Sequence, residues 1–397
     1  MGRKRENLSQ IDEERAFSHW LCNIEGIGRK GQRRLLEEAG SARAVFAMAE
    51  SRLARLLQPA QMGNLLRARK VGNVWEDYCR VKEKGIWYCP SCDPAFPKRL
   101  ALIPDPPVGI YVAGRLPKET LPAVAVIGAR ACSEYGKYAA RRFAGILAAS
   151  GVNIISGMAR GIDSIGQEAS LDNQGYTGAV MGCGVDVCYP RENRTLYERI
   201  KVQGGVLSEY PPGVGPRAGL FPERNRIISG LADLVLVIEA REKSGTLITV
   251  DMALEQGKEV MVVPGRITDQ LSGGCNRLLR QGASPALTPE DVLEMLDRPL
   301  RSFPPSTHWE KHGQEKETVA SPSRCMASES VSAKEAGSAL RQAVLEALEY
   351  TPMLAGQVAY RMEEGGRKAG LPEVMHALLE LVLEGKCAQD GCYFYRV

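Results

Sequence analysis

Small residues and arginines follow two apolar runs in the middle of the chain, and these residue types suit anion binding. The run VAVI leads into GAR at residues 128–130, and the run NII leads into SGMARG at residues 156–161. Where such a loop opens a helix, backbone N–H groups and the helix N-terminus attract negative charge, and an arginine adds a full positive charge. Two such loops predict a ligand with several phosphates. The expected participants are Gly128, Arg130, Ser156, Gly157, Arg160 and Gly161, with Ser133 placed to cap the helix after the first loop.

Aromatic, amide and cationic side chains lie together at residues 221–226 (FPERNR), with Arg217 just before them. Bases stack on exposed aromatic rings and phosphates pair with arginines, so this composition is typical of single-strand binding. The alternative is a structural role, with Phe221 in the core and the arginines in ion pairs with Glu223 or Asp233. The cluster by itself leaves both open. Its candidate residues are Phe221, Arg224, Asn225 and Arg226.

A third loop of small residues, Ser244, Gly245 and Thr246, also precedes a helical stretch. It suits either an anion or tight packing against a neighbouring element. Asp163 stands at the start of the helix after the second loop, where a cap or an arginine partner is a more common role for a carboxylate than a catalytic acid.

The elements that must position these residues alternate between apolar runs and helical stretches. Continuous apolar strands separated by helices indicate an α/β fold with a doubly wound, mostly parallel, extended Rossmann-like sheet over residues 81–296. Ligands bind beyond the carboxyl ends of such strands, so the candidate loops are expected to share one groove. The predicted strands are 124–127, 152–155, 177–181, 205–207, 234–238 and 259–263.

Residues 1–80 are predicted to form a small helical domain. A Gly-Ile-Gly turn at residues 26–28 precedes the basic run RKGQRRLL, a pattern that is similar to the helix-hairpin-helix (SAM-like) element of DNA-binding proteins. Such an element grips phosphates without reading sequence. A helical packing module with solvated basic residues fits the same residues, and both interpretations stay open.

The C-terminal part of the chain changes composition twice. Residues 297–337 are rich in proline, serine and charged residues and are predicted to be a flexible linker. Residues 338–397 show three helical patterns and a strand pair around an Asp-Gly turn, which predicts a winged-helix domain. Its would-be recognition helix carries Glu373, Glu380 and Glu384, so protein contact is favoured over DNA contact.

Composition excludes several classes of protein. The net charge of +4 permits a nucleic-acid partner without requiring one. The 11 cysteines have no framework spacing, and Cys89-Pro-Ser-Cys92 offers two of the four ligands that zinc needs, so neither a metal nor a cofactor is expected.

Residues 81–121 around this pair are predicted to be an irregular lead-in with one short strand at 108–114. Without a signal peptide or an apolar membrane span, a cytoplasmic protein with reduced thiols is expected.

Two kinds of enzyme compete with a binding protein for the predicted groove. A dinucleotide-dependent enzyme is disfavoured, because the first loop lacks the three-glycine spacing and the second strand does not end in an acid for a ribose. A nucleotide or glycosyl hydrolase would need a carboxylate at the groove, and Glu209 and Glu239 are the candidates at strand ends.

The motifs of the central region resemble those of the DNA-processing protein A family (DprA, or Smf). They are VAVIGAR, IISGMARGID, GVDVCYPREN, GGVLSEYPPG, FPERNRIISGL, VLVIEA, SGTLIT and VPG, in this order. The resemblance implies a non-enzymatic protein that binds single-stranded DNA, forms a homodimer and helps to load the RecA recombinase on incoming DNA during natural transformation. It also implies that the residues of the second loop, with Arg130, line a phosphate pocket, that residues 221–226 extend it, and that Phe221 contacts a base.

Two departures from related motifs favour binding over catalysis. The family's motif continues from GID to an Ala-His pair, where this chain has Gly166-Gln167, and a glutamine cannot act as a general base near neutral pH. Phosphoribohydrolases with a related sheet carry a catalytic glutamate three residues after Gly-Thr, where this chain has Thr249. A hydrolase acting on nucleotide phosphates remains the alternative function.

Overall fold

The structure is a computed structural model that describes residues 9–296, 340–348, 353–364, 366–367, 369–390 and 393–396. The chain divides into two compact units, Met1–Arg301 and Ser302–Val397, and each is described by itself. The predicted linker at 297–337 lies outside the described residues, and the predicted boundary at residue 80 falls inside the first unit. None of the helices described is long and apolar enough to cross a membrane.

Six short helices come first among the described residues of the first unit. Fully buried leucines such as Leu21, Leu35 and Leu53 form their common core. The first helix also packs on the sheet that follows, since Ala16 shares a core with Tyr88 and Tyr111. The helices are α1 (Gln10–Cys22), α2 (Arg29–Ala39), α3 (Ala42–Ala47), α4 (Glu50–Leu56), α5 (Pro59–Val71) and α6 (Val74–Glu83).

Nine strands among the residues described in the first unit form one sheet. Its strands are β1 (Ile86–Pro90), β2 (Gly109–Gly114), β3 (Ala123–Ile127), β4 (Asn153–Ser156), β5 (Thr177–Val180), β6 (Gly205–Ser208), β7 (Leu234–Val237), β8 (Glu259–Val262) and β9 (Ser284–Pro285). They lie in the order β1-β2-β6-β5-β4-β3-β7-β8-β9. In this spatial order, the seven strands β6-β5-β4-β3-β7-β8-β9 are parallel to one another. At the β6 edge, β2 pairs antiparallel with β6, and β1 pairs antiparallel with β2. The mostly parallel, doubly wound prediction is confirmed.

Helices cover both faces of this sheet, which explains why its central strands are apolar on both sides. One face packs on a core with Leu100, Ile227 and Val250, and the other on a core with Phe143 and Val292. The chain runs outward from β3 through β4, β5 and β6 and returns to β7 on the other side of β3, so the strand order reverses at β3. The helices are α7 (Lys98–Ala101), α8 (Glu134–Ala149), α9 (Ile162–Asp172), α10 (Arg194–Gln203), α11 (Leu220–Gly230), α12 (Gly245–Glu255), α13 (Gly273–Arg280) and α14 (Pro289–Met295).

The lead-in at residues 81–121 differs from its prediction. It holds two strands, β1 and β2, where one was expected, and Cys89 is buried within β1. Pro90 made this segment look irregular, but it ends an edge strand, where a missing backbone N–H costs no sheet hydrogen bond. Cys92 lies exposed in the turn that follows.

The second unit has the helix and strand order predicted for a winged helix. A helix at residues 340–347, called α15, is followed by β10 (Met353–Leu354), α16 (Ala355–Glu364), α17 (Leu371–Leu383), β11 (Cys387–Asp390) and β12 (Tyr393–Arg396). The three strands pair in the order β10-β12-β11 around a core that includes Val344, Leu378 and Phe394.

Candidate nucleic-acid interface

A cavity of about 630 Å³, which we call the groove, opens at the carboxyl ends of β3 and β7. It lies where the strand order reverses, which is the usual ligand position in a doubly wound sheet. The loops after the two strands and the first turns of α11 form most of its walls. The predicted site residues that line it are Gly128, Arg130, Phe221, Arg224, Asn225, Ser244, Gly245 and Thr246. Those that do not are Ser133, Ser156, Gly157, Arg160, Gly161, Arg217 and Arg226.

Two arginines in the groove wall are exposed and have no hydrogen bond or ion pair with any residue that the structure describes. Arg130 follows β3 and Arg241 follows β7, so they stand on neighbouring loops. Each guanidinium is therefore available to an anionic ligand. Arg241 was not among the predicted residues, because the strand-end residues considered after β7 stopped at Ala240.

The N-terminus of α12 also faces the groove. Ser244, Gly245 and Thr246 all line the cavity, and the Ser244 side chain makes no capping hydrogen bond. Its Oγ is buried and has no partner among the residues described. A side chain at residue 245 would meet nothing within 4 Å, so this end of the 11-residue helix has open space where an anion could approach.

An aromatic pair forms another part of the groove wall. The rings of Phe221 and Tyr189 lie 5.2 Å apart, centre to centre, at 39° to each other. Phe221 is half-buried because its ring covers Gly182, whereas Tyr189 is 43% exposed. Tyr189 was missed as a site residue, although it lies in the GVDVCYPREN motif, since no cluster of basic residues drew attention to it. The pair offers a base an apolar platform.

Arg224 lines the groove, but its guanidinium is hydrogen-bonded to backbone carbonyl oxygens at the ends of two strands. It is 4% exposed, and its Nη1 donates to the carbonyl oxygens of Gly157, at 2.9 Å, and Val180. Burial lowers the pKa of Arg224 to about 10, although the carboxylate of Asp163 opposes this shift. The guanidinium therefore stays charged at neutral pH. It ties α11 to the ends of β4 and β5 and places a fixed positive charge under the groove.

The second predicted loop, residues 156–161, packs against the end of β3 and the first predicted loop, residues 128–130. Gly161 has a φ of 77°, and a side chain there would meet the carbonyl oxygens of Ala129 and Arg130. Fully buried Ser156 donates its hydroxyl to the carbonyl oxygen of Val126 at 2.7 Å. These residues hold the two loops together, and their assignment to phosphate contact stays a prediction.

Two of the predicted arginines are paired with carboxylates. Arg160 is exposed and forms an ion pair with Glu192. The Arg226 side chain is 7% exposed and donates to both carboxylate oxygens of Glu209, at 2.7 and 2.8 Å. For Arg226 the geometry favours the structural alternative, with Glu209 in place of the expected Glu223 or Asp233. Arg217 is exposed outside the groove wall.

The two strand-end glutamates that were the candidates for a hydrolase do not line the groove. Glu239 is 1% exposed and accepts hydrogen bonds from the Ser133 hydroxyl and, at 2.9 Å, its N–H, at the N-terminus of α8. Glu209 is bonded to Arg226, and neither glutamate lines the cavity. Asp163 is the carboxylate among the lining residues; burial raises its pKa, while the nearby Arg224 cation opposes that shift. It accepts from the N–H of Gly157 at 3.2 Å, as a loop-stabilising residue would.

Gln167, at the position of the family's histidine, is fully buried in α9. Its Nε2 donates to the Gly178 carbonyl oxygen at 3.1 Å and to Thr177 Oγ1 at 3.3 Å. The side chain joins α9 to β5 and does not line the groove. No group of three or more histidine, cysteine or acidic residues that could hold a metal ion occurs in the described part of the chain.

Comparisons with known proteins agree over the region that carries the groove. A family model described as DNA recombination-mediator protein A matches residues 87–297. DNA processing protein DprA of Streptococcus pneumoniae is 44% identical over 201 residues, which are 51% of this chain and 71% of that protein. The X-ray structure of DprA from Streptococcus pneumoniae has a TM-score of 0.62 at 32% identity, covering 70% of this chain and 97% of that one. A structure of the Helicobacter pylori protein, concerned with its single-stranded DNA binding mode, has a TM-score of 0.47 at 32% identity, covering 51% and 92%. Every residue that lines the groove lies within the matched segment.

Proposed function

Because the chain belongs to the DNA recombination-mediator protein A family, we propose that it binds single-stranded DNA in the groove without reading its sequence. The observation that carries the proposal is the juxtaposition of the Phe221–Tyr189 pair with Arg130 and Arg241, two arginines that have no partner among the residues described. Arginines bind the phosphates of a strand, and aromatic rings stack on its bases. A single strand presents both phosphates and unpaired bases to one groove.

Each part of the groove has a distinct task in this proposal. Arg130, Arg241 and the N-terminus of α12 hold successive phosphates, while Tyr189 and Phe221 receive an unpaired base. Arg224 adds positive potential from below without needing to touch the strand. Since phosphates and ring faces are common to all sequences, such contacts give affinity rather than sequence preference. A duplex, whose bases are already stacked, cannot use the aromatic pair.

We further propose that the bound strand is incoming DNA, which the protein protects and presents to the RecA recombinase during natural transformation. The family's description as a recombination mediator supports this role. In this proposal the protein acts in the cytoplasm as a homodimer and is not an enzyme. The acidic residue Glu373 supports protein contact for the second unit, because it lies exposed in the first turn of α17, where its negative charge would disfavour DNA phosphates.

A hydrolase would be the different class of function for the same groove. It would have to use Asp163, since the glutamates at the strand ends are bonded elsewhere. Asp163 is held by the loop that it stabilises, and Thr249 fills the position of the hydrolases' glutamate in the groove wall. Incubation with nucleoside monophosphates therefore should release no base. Steady release that Asp163→Asn abolishes would establish the enzyme instead.

The proposed function is tested by fluorescence anisotropy with a labelled single strand and the corresponding duplex at several salt concentrations. We expect the single strand to bind more tightly, with an affinity that falls steeply as salt rises, because bound phosphates release counterions. Strands of different sequence should bind alike. Tighter binding of the duplex, or an affinity insensitive to salt, would contradict the proposal.

A further inference from the structure

Charged side chains from the N-terminal helices and from the sheet region meet at Asp105, outside the groove. Asp105 lies between α7 and β2 and forms ion pairs with three arginines. Arg33 Nη2 is 2.9 Å from its Oδ1, while Arg29 Nε and Arg226 Nε are 3.1 and 3.3 Å from its Oδ2. Two of these arginines come from α2 and the third from α11. One carboxylate therefore joins α2 to a helix of the groove wall.

Two further carboxylates complete this group, which we call the Asp105 cluster. Arg226 also donates to Glu209, and Arg29 Nη1 is 3.0 Å from Glu223 Oε2. Three arginines thus face three carboxylates, so the cluster is electrically balanced. Partial burial acts to raise the pKa of Asp105, but the cations of Arg29, Arg226 and Arg33 outweigh it and lower the pKa below its ordinary value.

The two sides of α11 explain why the cluster matters for the groove. Phe221, Arg224 and Asn225, spaced three and four residues apart, line the groove. Glu223 and Arg226, three residues apart, lie on another side of the same helix and face the cluster. A shift of α11 toward or away from α2 would therefore move the base-contacting ring and the buried guanidinium together.

We propose that α2 positions α11 for DNA through the Asp105 cluster, so that Arg29 and Arg33 are positioning residues for a groove that neither lines. This inference rests on the proposed function. It also chooses between the two interpretations of the basic run after the Gly-Ile-Gly turn. Arg29 and Arg33 are engaged by carboxylates of the same unit, so they serve packing rather than phosphate contact.

The variant Asp105→Asn separates the two interpretations by the sign of its effect. Removing a negative charge near the groove would tighten DNA binding if Arg29 and Arg33, once freed, contacted phosphates. If the cluster positions α11, the same change weakens binding, by about three- to tenfold for a partly exposed network. Anisotropy with a labelled single strand measures the difference. An affinity equal to or higher than that of the unmodified chain would overturn the inference.

A second variant, Arg33→Gln, tests the same point with little risk to the fold, since Arg33 is one-third exposed. Its affinity should fall while the slope of log affinity against log salt stays unchanged, because no phosphate contact is lost. A phosphate-contacting arginine would instead reduce the magnitude of the slope by about 0.7. That result would overturn the inference.

The matched control is Arg43→Gln, which removes one positive charge from the same helical region. Arg43 pairs with Glu13 at 2.7 Å, and neither residue belongs to the Asp105 cluster. Its affinity should stay within about twofold of the unmodified chain, as for an exposed ion pair. A loss as large as that of Arg33→Gln would attribute both effects to overall charge and count against positioning. Failure of the unmodified chain to bind single-stranded DNA would instead defeat the proposed function itself.

Discussion

Two groups of arginines in the first unit look alike in the sequence and differ in the structure. Arg130 and Arg241 are exposed in the groove wall without partners among the residues described. Arg29, Arg33 and Arg226 are bound by the carboxylates of the Asp105 cluster. An arginine whose charge is already satisfied offers a phosphate little, because its existing bonds must first be broken. We therefore expect the partners of an arginine, more than its position in a basic motif, to separate contacting from positioning arginines.

The largest effect is expected when both groove arginines are removed. Arg130→Gln with Arg241→Gln should weaken single-strand binding about a hundredfold, since a hydrogen bond to a charged group contributes about 1.5 kcal/mol. The magnitude of the slope of log affinity against log salt should fall by about 1.4, because two phosphate contacts are lost. Anisotropy over a salt series measures both quantities. An unchanged binding curve would show that the comparison between the two groups is wrong.

The aromatic pair should contribute less and in a different way. Tyr189→Ala should weaken binding about tenfold by removing a stacking surface, with the salt slope unchanged. Tyr189→Phe keeps the ring and is the control, with an affinity near that of the unmodified chain. Equal losses in the two variants would assign the contribution to the hydroxyl group and contradict stacking.

A substitution can convert Arg160 from an arginine with a carboxylate partner into one without that partner. It is exposed beside the groove loops but paired with Glu192, so Glu192→Gln should free its guanidinium. We expect single-strand affinity to rise about twofold, a typical size for an exposed charge. The same assay at low salt detects the change. A fall in affinity would mean that Glu192 holds Arg160 in a productive position.

The smallest effect concerns stability and pH. The pKa of Asp105 is lowered in the fold, because its arginine partners outweigh its partial burial, so its contribution to stability is present above its ordinary pKa and is lost as pH falls through the lowered value. Asp105→Asn should lower the melting temperature by about 2 °C at pH 7, and the difference should begin to shrink below about pH 4 and vanish once the pH falls below the lowered pKa of Asp105. A difference that persists in acid would contradict the ionic account of the cluster. Thermal melts at a series of pH values measure it.

The sheet was predictable because its central strands are continuous apolar runs, covered by helices on both faces. The two strands near Cys89 and Tyr111 were only half predicted, since prolines obscured β1. Strand-end loops also led to Arg130 and to residues 244–246, which line the groove, because the carboxyl ends of parallel strands meet at one edge.

The roles of the arginines could not be read locally, since their partners are remote in the sequence. Arg226 bonds to residues 17 and 121 positions away, Glu209 and Asp105. Arg160 meets Glu192, 32 positions away. Tyr189 reaches the groove from a loop whose path depends on the packed sheet. Composition predicted a phosphate-binding region, and tertiary contacts decide which of its arginines have partners among the residues described.

Photocrosslinking with single strands that carry 5-iodouracil tests the central claim most directly, because this base couples to an aromatic ring on which it stacks. Mass spectrometry of the digested complex then identifies the attached residue. We predict attachment at Tyr189 or Phe221, lost when Arg130 and Arg241 are both replaced by glutamine. Attachment confined to α2 or to the second unit would contradict the account.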